Sequence, residues 1–463
     1  MKKRIFNTAL VAAAALGLTA TLSSCGSKSN PEKTIVFVST MGDALQKVAD
    51  VAIENFETKF PGWKIDHQQP GGYDQVRDRV IGDLGADTQP DLAYCYADHV
   101  AMYLQTKKVV DINKFINSTA TVDAVVNGET VKETVGYTAA EKADIIETYM
   151  SEGIATNFAG YDNYDYAADA LLMLPFSKST EALYYNADVL QELNLEVPET
   201  WDDLWAACSA IKAKYPESTP LGYDSEANWF ITMCEQNGWG YTSAQKPHYL
   251  FNNDDTVNWL NDVKAKYDEG LFITKTLYGG SYTSNLFVKG VKAGGSAFSI
   301  GSTGGASNQA SKEFNWGVTK LPGTRKSDNT IDFSNISQGP NLVMFKTSFD
   351  NADEKQIMTW EFIKCLLEPK FQAQFSMKSG YNPVRLSTYE IEDYADWLDG
   401  EDITAVTAKM SSTITDWFFT SPAFIGSSTA REQVGSALVN LLAGIYSTAE
   451  GALARAVKNC GGN

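Results

Sequence analysis

The sequence predicts a mixed α/β protein built from two lobes. Between residues 34 and 95, β-rich runs alternate with segments whose apolar residues recur at helical spacing. Such an alternation predicts β-α-β units, and therefore a parallel sheet covered by helices. The chain has 463 residues. Because single hydrophobic cores stop growing near about 250 to 300 residues, a second lobe is expected.

The first part of the chain contains the clearest β-α-β units. Apolar residues mark each predicted element, and Pro61-Gly62 ends the first helix. The predicted elements are, in order, the strand 34–39, the helix 45–60, the strand 63–67, the helix 73–84 and the strand 91–95. Ligand-binding groups are expected in the loops at the ends of these strands.

The later part of the chain repeats the alternation with shorter strands. Thr200 is expected to cap a helix that begins at Trp201. Glycine-rich turns bracket several apolar runs, which are typical of strands returning to a sheet. The predicted strands are 182–185, 297–300, 315–318 and 342–345, and the last long helices are 353–367 and 430–449.

The N-terminus carries the pattern of an exported protein. Basic residues at positions 2–4 precede an apolar stretch at 9–18, which is too short to span a bilayer as a stable helix. The stretch ends in Leu22-Ser23-Ser24-Cys25, which resembles the lipobox of bacterial lipoproteins. We therefore expect a signal peptide at residues 1–24, lipid on Cys25, and a polar tether at 25–32. The alternative is an ordinary cleaved signal with a chance cysteine.

The net charge disfavours nucleic acid and anionic membrane surfaces as partners, and the cysteine spacing disfavours a disulfide framework. The net charge is −19, and removal of the three basic residues in the signal peptide takes it to −22. Such a balance repels nucleic acid and anionic headgroups, so membrane contact is expected only through the lipid. The five cysteines other than Cys25 have no regular spacing, so no disulfide framework is predicted.

No motif for catalysis or cofactor binding is visible. The three histidines, His67, His99 and His248, lie at no metal-binding spacing, and neither a phosphate loop nor a Gly-x-Ser-x-Gly elbow occurs. We expect no metal and no cofactor. A secreted glycoside hydrolase remains the enzyme alternative, because its two carboxylates need not be close in sequence.

Aromatic residues are abundant in the predicted loops, next to Asn, Asp, Ser and Gly. Examples are Tyr73, Trp229, Tyr241, Tyr381 and the cluster at 161–166. About half of them are expected in the core. The others have the composition of a site that stacks on a sugar ring and hydrogen-bonds its hydroxyls.

Two blocks of sequence are distinctive, LPFSKSTEALYYNAD at 174–188 and PETWDDL at 198–204. They resemble a known family, the extracellular solute-binding proteins of ABC importers, in the branch that includes glycerol-3-phosphate and sugar binders. Weaker matches occur in the right order elsewhere, for example KSGYNPV at 378–384. The resemblance covers nearly the whole chain after the tether.

The resemblance implies a two-lobed periplasmic-binding-protein-like fold of class II. Each lobe is discontinuous, hinge strands join the two, and the lobes close over a solute. On this basis we expect an N-terminal lobe formed by 33–176 plus 339–378 and a C-terminal lobe formed by 177–338 plus 379–463.

The resemblance also implies ligand-binding positions, carried over one at a time. They are Tyr73 as an aromatic of the first lobe, Ser179 and Thr180 at the first hinge crossing, Trp229 as an aromatic of the second lobe, Ser302 and Thr303 in a glycine-flanked loop, Gly339 at the second crossing, and Tyr381 in a Gly-Tyr-x-Pro turn. No catalytic residue is implied.

Two departures from the family pattern bear on the solute. Relatives that bind glycerol-3-phosphate place a glutamate where this chain has Ala97, and an arginine near Phe418-Phe419. Without the planar guanidinium group of that arginine a phosphorylated solute is disfavoured, and a neutral carbohydrate is expected. Asp98 is either a hydroxyl acceptor for it or a capping or solvated residue.

The sequence therefore predicts a monomeric, lipid-anchored binding subunit that works outside the cytoplasm. It would capture a small carbohydrate, deliver it to the permease subunits of an ABC importer, and neither make nor break a bond. Besides the hydrolase, a surface glycan-binding lipoprotein without a transporter remains an alternative.

Overall fold

The computed structural model describes residues 31–462. Cys25, the predicted signal peptide and most of the predicted tether lie outside the described residues. The described chain contains two five-stranded sheets, each covered by helices, and several short two-stranded pairs. This is the mixed α/β, two-lobed architecture that the sequence predicts. We call the part built on the first sheet the first lobe and the part built on the second sheet the second lobe.

The first sheet combines strands from distant parts of the chain. Its order across the sheet is Lys64–Gln68, Thr34–Val38, Leu92–Cys95, Asn341–Met344 and Leu174–Pro175. The first three strands are parallel, as the β-α-β pattern predicts, and the fourth runs antiparallel to the third. The first lobe is therefore discontinuous, since its fourth strand comes from beyond residue 340.

The second sheet uses only the middle of the chain. Its order is Phe272–Thr274, Leu221–Tyr223, Phe298–Ser302, Glu181–Asn186 and Trp316–Lys320. The first three strands are parallel, whereas Glu181–Asn186 runs antiparallel to both of its neighbours. The strand that leaves the first lobe thus enters the interior of the second sheet.

Three chain crossings lie side by side between the lobes and form the hinge. Ser177–Lys178 pairs antiparallel with Asn382–Pro383 on one side. On the other side, Ser179 and Gln338 exchange two backbone hydrogen bonds of 3.0 and 2.8 Å. The crossings fall near the predicted lobe boundaries, and the boundaries themselves stay a prediction.

Helices cover both sheets. The predicted helices 45–60, 73–84 and 353–367 begin and end within a few residues of the observed ones, and the helix predicted from Trp201 begins there. The predicted helix 430–449 is wrong at its end, because the helix stops at Leu442 and another begins at Ala449. The α-helices are Asp43–Lys59, Tyr73–Ala86, Ala97–Tyr103, Asn113–Ile116, Ala139–Ala143, Glu147–Ser151, Ala187–Leu193, Trp201–Lys214, Glu226–Asn237, Asp254–Asp268, Ser284–Lys289, Ala352–Leu366, Pro369–Ser379, Glu392–Leu398, Ile403–Ser412, Ser427–Leu442 and Ala449–Asn459.

Short strand pairs complete the fold. They are the hairpins Thr121–Val126 with Glu129–Thr134 and Thr324–Arg325 with Ile331–Asp332, and the parallel pair Asn335–Ile336 with Phe418–Phe419.

Side chains at the helix ends and strand edges show why the elements form where they do. Thr200 caps its helix as predicted: its Oγ1 accepts the backbone N–H of Asp203 at 3.2 Å and donates to that carboxylate at 2.7 Å. In the first lobe, buried Asp91 accepts the backbone N–H of Val36 at 2.9 Å and pairs with Lys355 at 2.9 Å. These bonds satisfy groups that burial would otherwise leave unpaired.

Each lobe has its own hydrophobic core. The first packs Phe37, Phe56 and Trp360 with neighbours from both chain segments of that lobe. The second centres on Trp229 and Phe230. Five cysteines of the described residues are unpaired thiols, and Cys95, Cys208 and Cys234 are buried. No helix between residues 31 and 462 is long and apolar enough to cross a membrane.

Candidate ligand-binding cleft

A cleft lies between the two lobes with the hinge at its floor. It has two connected compartments, which share Tyr96, Gln338 and Arg431 in their walls. The large compartment has a volume of about 1160 Å³ and opens to solvent. The small compartment has a volume of about 680 Å³ and extends along the hinge crossing 336–341. Both lobes contribute to the walls, so a bound molecule would contact both.

Four tyrosines line the large compartment, and three of them, Tyr73, Tyr96 and Tyr381, interact with one another. Tyr73 begins a helix of the first lobe, and its ring centroid lies 4.4 Å from that of Tyr96. Tyr381 directly precedes the third hinge crossing, and its hydroxyl interacts with the side chains of Tyr73 and Ser179. Burial raises the pKa of the Tyr381 hydroxyl. The three rings stay neutral and offer both apolar faces and hydroxyl groups to a ligand.

The loop after the strand Phe298–Ser302 brings small polar groups against these rings. The Ser302 hydroxyl lies 3.4 Å from that of Ser179 and accepts the backbone N–H of Gly304 at 3.3 Å. A Cβ on Gly304 would lie 2.6 Å from the Tyr381 ring. Glycine is therefore required at residue 304 for the loop to approach the tyrosine this closely.

A buried carboxyl group organises the second-lobe wall. Tyr223 donates to Glu181 Oε2 at 2.6 Å, and the Asn228 amide donates to Oε1 at 2.9 Å. Burial raises the pKa of Glu181 to about 7, against the lowering effect of these bonds and of Arg431. Because both carboxyl oxygens are engaged, Glu181 holds Asn228 in place, and the Asn228 oxygen in turn accepts a hydrogen bond from Arg431.

Arg431 places a guanidinium group where the two compartments meet. It lies on the helix Ser427–Leu442 of the second lobe and lines both compartments. Its described hydrogen bond goes to neutral Asn228. The sequence places Phe418-Phe419 where relatives have an arginine, and we therefore expected no guanidinium group at the ligand. Arg431 nevertheless reaches the cleft, from the helix Ser427–Leu442 rather than from the strand Phe418–Phe419.

Two amide oxygens in the cleft walls are buried without a hydrogen-bond partner among residues 31–462. Gln309 is 2 % exposed and lines the large compartment, and Asn341 is 3 % exposed and lines the small one. The orphaned atoms are Gln309 Oε1 and Asn341 Oδ1. Leaving such an acceptor unpaired costs about 1–3 kcal/mol, so each site favours a ligand that donates a hydrogen bond.

Asp224 and Lys275 are two further charged residues in the wall of the large compartment. Asp224 accepts hydrogen bonds of 2.7 Å from the backbone N–H and hydroxyl of Thr283. Burial raises the pKa of Asp224, although Thr283 and Lys275 oppose the effect. Lys275 lies 3.9 Å from the centroid of the exposed Tyr282 ring. The compartment thus offers groups of both signs.

One contact joins the lobes across the mouth of the cleft. Arg77, on the first-lobe helix that Tyr73 begins, donates to the Ser428 hydroxyl at 2.8 Å and to Glu432 at 2.9 Å. Both acceptors belong to the helix that carries Arg431. The contact therefore links ligand-facing helices of the two lobes and forms only when the lobes are close together.

The structure brings most of the residues predicted to bind ligand to the cleft. Tyr73, Ser179, Ser302 and Tyr381 line the large compartment. Gly339 and Asp98 line the small one, where Asp98 Oδ1 also accepts the backbone N–H of His99 at 3.1 Å.

Thr180 and Thr303 are buried directly behind the wall. The Thr180 hydroxyl donates to the Ile336 carbonyl at 2.8 Å, and its backbone N–H donates to Thr303 Oγ1 at 3.1 Å. Both side chains have no exposed area. Their hydroxyl groups join the hinge crossing to the loop after Ser302, so they support the residues that face the ligand.

The structure does not bring Trp229 to the cleft. Its ring has no exposed area and packs between Tyr223 and Trp201 in the second-lobe core, at centroid distances of 4.9 and 6.0 Å. The preceding residue, Asn228, lines the cleft instead. On a helix, one residue turns a side chain by about 100°, so a shift of one position moves it from the cleft to the core.

Several residues in the walls were missed by sequence reasoning. They are Tyr96, Glu181, Asn228, Lys275, Tyr282, Gln309, Gln338, Asn341 and Arg431. Glu181 lies inside the hinge block and was a visible candidate, because a carboxylate in a buried strand needs a partner. Arg431 carries no local signal, since it lies on an ordinary amphipathic helix. Among residues 31–462, no group of three or more His, Cys, Asp or Glu side chains is arranged to hold a metal ion.

Comparison with known proteins matches this chain to one family over most of its length. Residues 51–399 fit the family model described as bacterial extracellular solute-binding protein. The sn-glycerol-3-phosphate-binding periplasmic protein UgpB of Yersinia pestis is 23% identical over 377 residues, which cover 77% of this chain and 75% of that protein. UgpB of Brucella abortus is 26% identical over 246 residues, covering 50% and 52%.

Solved structures share the fold at lower sequence identity. UgpB from Mycobacterium tuberculosis in complex with glycerophosphocholine aligns with a TM-score of 0.71 at 15% identity, covering 92% of this chain and 97% of that one. The GacH receptor of Streptomyces glaucescens, solved unliganded and with acarbose, aligns with a TM-score of 0.68 at 18% identity, covering 92% and 98%.

Proposed function

The chain belongs to the bacterial extracellular solute-binding protein family, and from that premise we propose that it captures a small carbohydrate in the cleft and delivers it to an ABC permease. Its lobes would close over the solute, because contacts that need both lobes exist only in the closed form. No bond in the solute is made or broken. Closure presents a loaded, compact receptor to the membrane partner.

The unpaired amide oxygens in the cleft walls support a carbohydrate as the solute. Gln309 and Asn341 each have an amide oxygen without a partner in the part of the chain that the structure describes, one in each compartment. A hydroxyl group can donate to such an oxygen, and a sugar offers several hydroxyls at fixed spacing beside an apolar ring face. The tyrosine rings of the large compartment supply the matching apolar surface.

Arg431 leaves the charge of the solute open to experiment. A guanidinium group binds neutral hydroxyls as a donor and binds phosphate or carboxylate more strongly as a bidentate partner. Because Arg431 supplies a guanidinium group in the cleft, a phosphorylated solute is no longer disfavoured. The Yersinia pestis relative is named for a phosphorylated polyol. A carbohydrate with or without an acidic group therefore fits the cleft.

Location and partners belong to the same proposal. We infer that Cys25 carries lipid, that the chain acts outside the cytoplasm as a monomer, and that the segment after Cys25 keeps the lobes near the permease. Tethering raises the effective local concentration for delivery. Radiolabelled palmitate should be incorporated into the wild type and not into Cys25→Ala, and label retained by the variant would refute the anchor.

Thermal-shift screening tests the solute class. Monosaccharides, oligosaccharides and polyol phosphates are compared, and a molecule that binds only the folded state should raise the melting temperature. Gln309→Leu replaces the orphaned acceptor and should weaken binding by about tenfold or more. Gln69→Leu, at an exposed position outside the cleft, is the matched control.

Three outcomes would overturn the proposal. No stabilisation by any sugar, together with hydrolysis of one, would favour the glycoside hydrolase. Affinity for long polymers without lobe closure in small-angle scattering would favour a surface glycan-binding lipoprotein. Equal loss of binding in the Gln309 and Gln69 variants would show that the cleft is not the site.

A further inference from the structure

A groove separate from the cleft lies on the second lobe. Four tryptophans line it, Trp201, Trp205, Trp229 and Trp259, and we call it the tryptophan groove. Its volume is about 700 Å³ and it opens to solvent. Trp205 and Trp259 are half-buried, so parts of their rings are accessible, whereas Trp201 and Trp229 lie deeper.

The helix Glu226–Asn237 separates the groove from the cleft. Trp229, Met233 and Asn237 recur at intervals of four residues and line the groove. Asn228 and Ile231 lie on another face of the same helix and line the cleft. Because side chains four residues apart share one face of a helix, the two cavities are distinct and share a wall.

The groove contains an unsatisfied polar atom. The ring of Trp229 has no exposed area, and its indole Nε1 has no hydrogen-bond partner among the described residues. In contrast, the neighbouring Trp201 indole donates to Gln236 Oε1 at 2.9 Å. A buried indole N–H normally finds an acceptor, so Trp229 leaves an unsatisfied donor in the wall of the groove.

The rim of the groove adds polar groups of the kind that bind hydroxyls. Asp202 and Asp262 are exposed acceptors, and exposed Arg325 offers donors. Asp262 also forms an ion pair with Lys266, whose ammonium lies 5.4 Å from the Trp205 ring centroid. Aromatic faces flanked by both acceptors and donors match a sugar ring better than a purely apolar or purely cationic molecule.

We propose that the tryptophan groove is a second carbohydrate-binding site, independent of the interlobe cleft. A sugar ring would lie against the accessible face of Trp205 or Trp259, with its hydroxyls bonded to Asp202 and Asp262. Such a site would hold one end of a glycan at the protein surface, beside the cleft that takes up the small solute.

Tryptophan fluorescence and calorimetry test the groove with the full chain. The probes are maltotriose, cellotriose and mannotriose, titrated into wild type, Trp205→Leu, the double variant Asp202→Asn/Asp262→Asn, and the cleft variant Gln309→Leu. For at least one probe, the groove variants should bind about tenfold more weakly at one site, because an aromatic face or two charged acceptors are lost. Binding of the probe in the cleft, measured as a separate binding event, should be unchanged in the groove variants.

The design separates the groove from the cleft. Gln309→Leu should still bind sugar in the tryptophan groove, because Gln309 lies in the cleft. Binding in the groove is therefore detectable even if the cleft binds no sugar. The double variant alters only exposed side chains and keeps the test valid if Trp205→Leu fails to fold. No fluorescence change with any probe, or a change that Gln309→Leu abolishes and the groove variants retain, would overturn the second site.

Discussion

At the scale of single residues, Glu181 shows how the second lobe stabilises a polar group in its interior. The carboxyl group is 1 % exposed, and both oxygens accept hydrogen bonds, from Tyr223 and Asn228. Burial outweighs these bonds and raises the pKa to about 7 from the ordinary glutamate value of 4.5. The folded protein therefore binds this proton more tightly than the unfolded chain does.

Glu181→Gln should change the pH dependence of stability. Because the folded pKa is raised, the wild type loses stability from this group as the pH rises from about 4.5 to about 7. Glutamine does not titrate, so the stability of the variant relative to wild type should rise by up to roughly 3 kcal/mol over that interval. Urea denaturation at pH 5 and pH 8 measures it. A stability difference that is the same at both pH values would contradict the raised pKa.

Gly339 is the hinge residue whose backbone conformation excludes a side chain. Its φ is +97°, and a Cβ would lie 2.2 Å from the Ser177 carbonyl oxygen. Gly339→Ala should therefore destabilise the protein by about 2 kcal/mol or more. Gly82→Ala is the matched control, because Gly82 is exposed within a helix and has open space.

Denaturant titration compares the two glycine variants. Gly82→Ala should stabilise the protein by about 0.5–1 kcal/mol, since alanine favours the helix. Similar changes in both variants would show that the conformation of the hinge at Gly339 does not require glycine.

At the scale of elements, a buried ion pair fastens the hinge to the first lobe. Lys178 lies in the first crossing and is 1 % exposed, and its ammonium pairs with Glu152. Glu152 Oε1 also accepts the Ser337 hydroxyl at 2.7 Å, from the second crossing. Two hinge strands are thus joined through one carboxylate of the first lobe.

Lys178→Ala should cost about 3 kcal/mol of unfolding free energy, because Glu152, whose side chain is only 11% exposed, would lose its countercharge. The control is Lys409→Ala, whose pair with Asp399 is 57% and 77% exposed and should contribute little to stability. Chemical denaturation of both variants provides the comparison. Equal losses would mean that the hinge pair is screened like a surface pair.

At the scale of the whole molecule, closure of the lobes depends on contacts across the cleft. Arg77 is 12% exposed and bonds Ser428 and Glu432 on the opposite lobe. Tyr73, on the same helix, lines the large compartment. Solute binding and the Arg77 contact should therefore favour the same closed arrangement.

Arg77→Ala should weaken solute binding by about fivefold, because a contact made only on closure is lost. Arg79→Ala is the matched control, since Arg79 on the same helix pairs with Asp83 within that helix. Calorimetry measures affinity, and small-angle scattering measures the radius of gyration with solute present. An unchanged affinity and radius in Arg77→Ala would show that this contact does not contribute to closure.

Much of the fold was predictable because its signals are local. The helices Asp43–Lys59 and Tyr73–Ala86 and the three parallel strands of the first sheet follow from apolar spacing. The hinge block around Ser179 was recognisable from its sequence alone, and Tyr73, Ser302 and Tyr381 reach the cleft as expected. Periodicity and short motifs carry this information because each depends on near neighbours in the chain.

The tertiary structure decided which side chains meet. Asn228 rather than Trp229 faces the cleft, because one position on a helix changes the direction of a side chain by about 100°. Arg431 reaches Asn228 from 203 residues away. The sequence by itself determined the two-lobed α/β class and the family, since these rest on local patterns. The cleft chemistry depends on long-range packing, and such contacts leave no spacing signal in a single sequence.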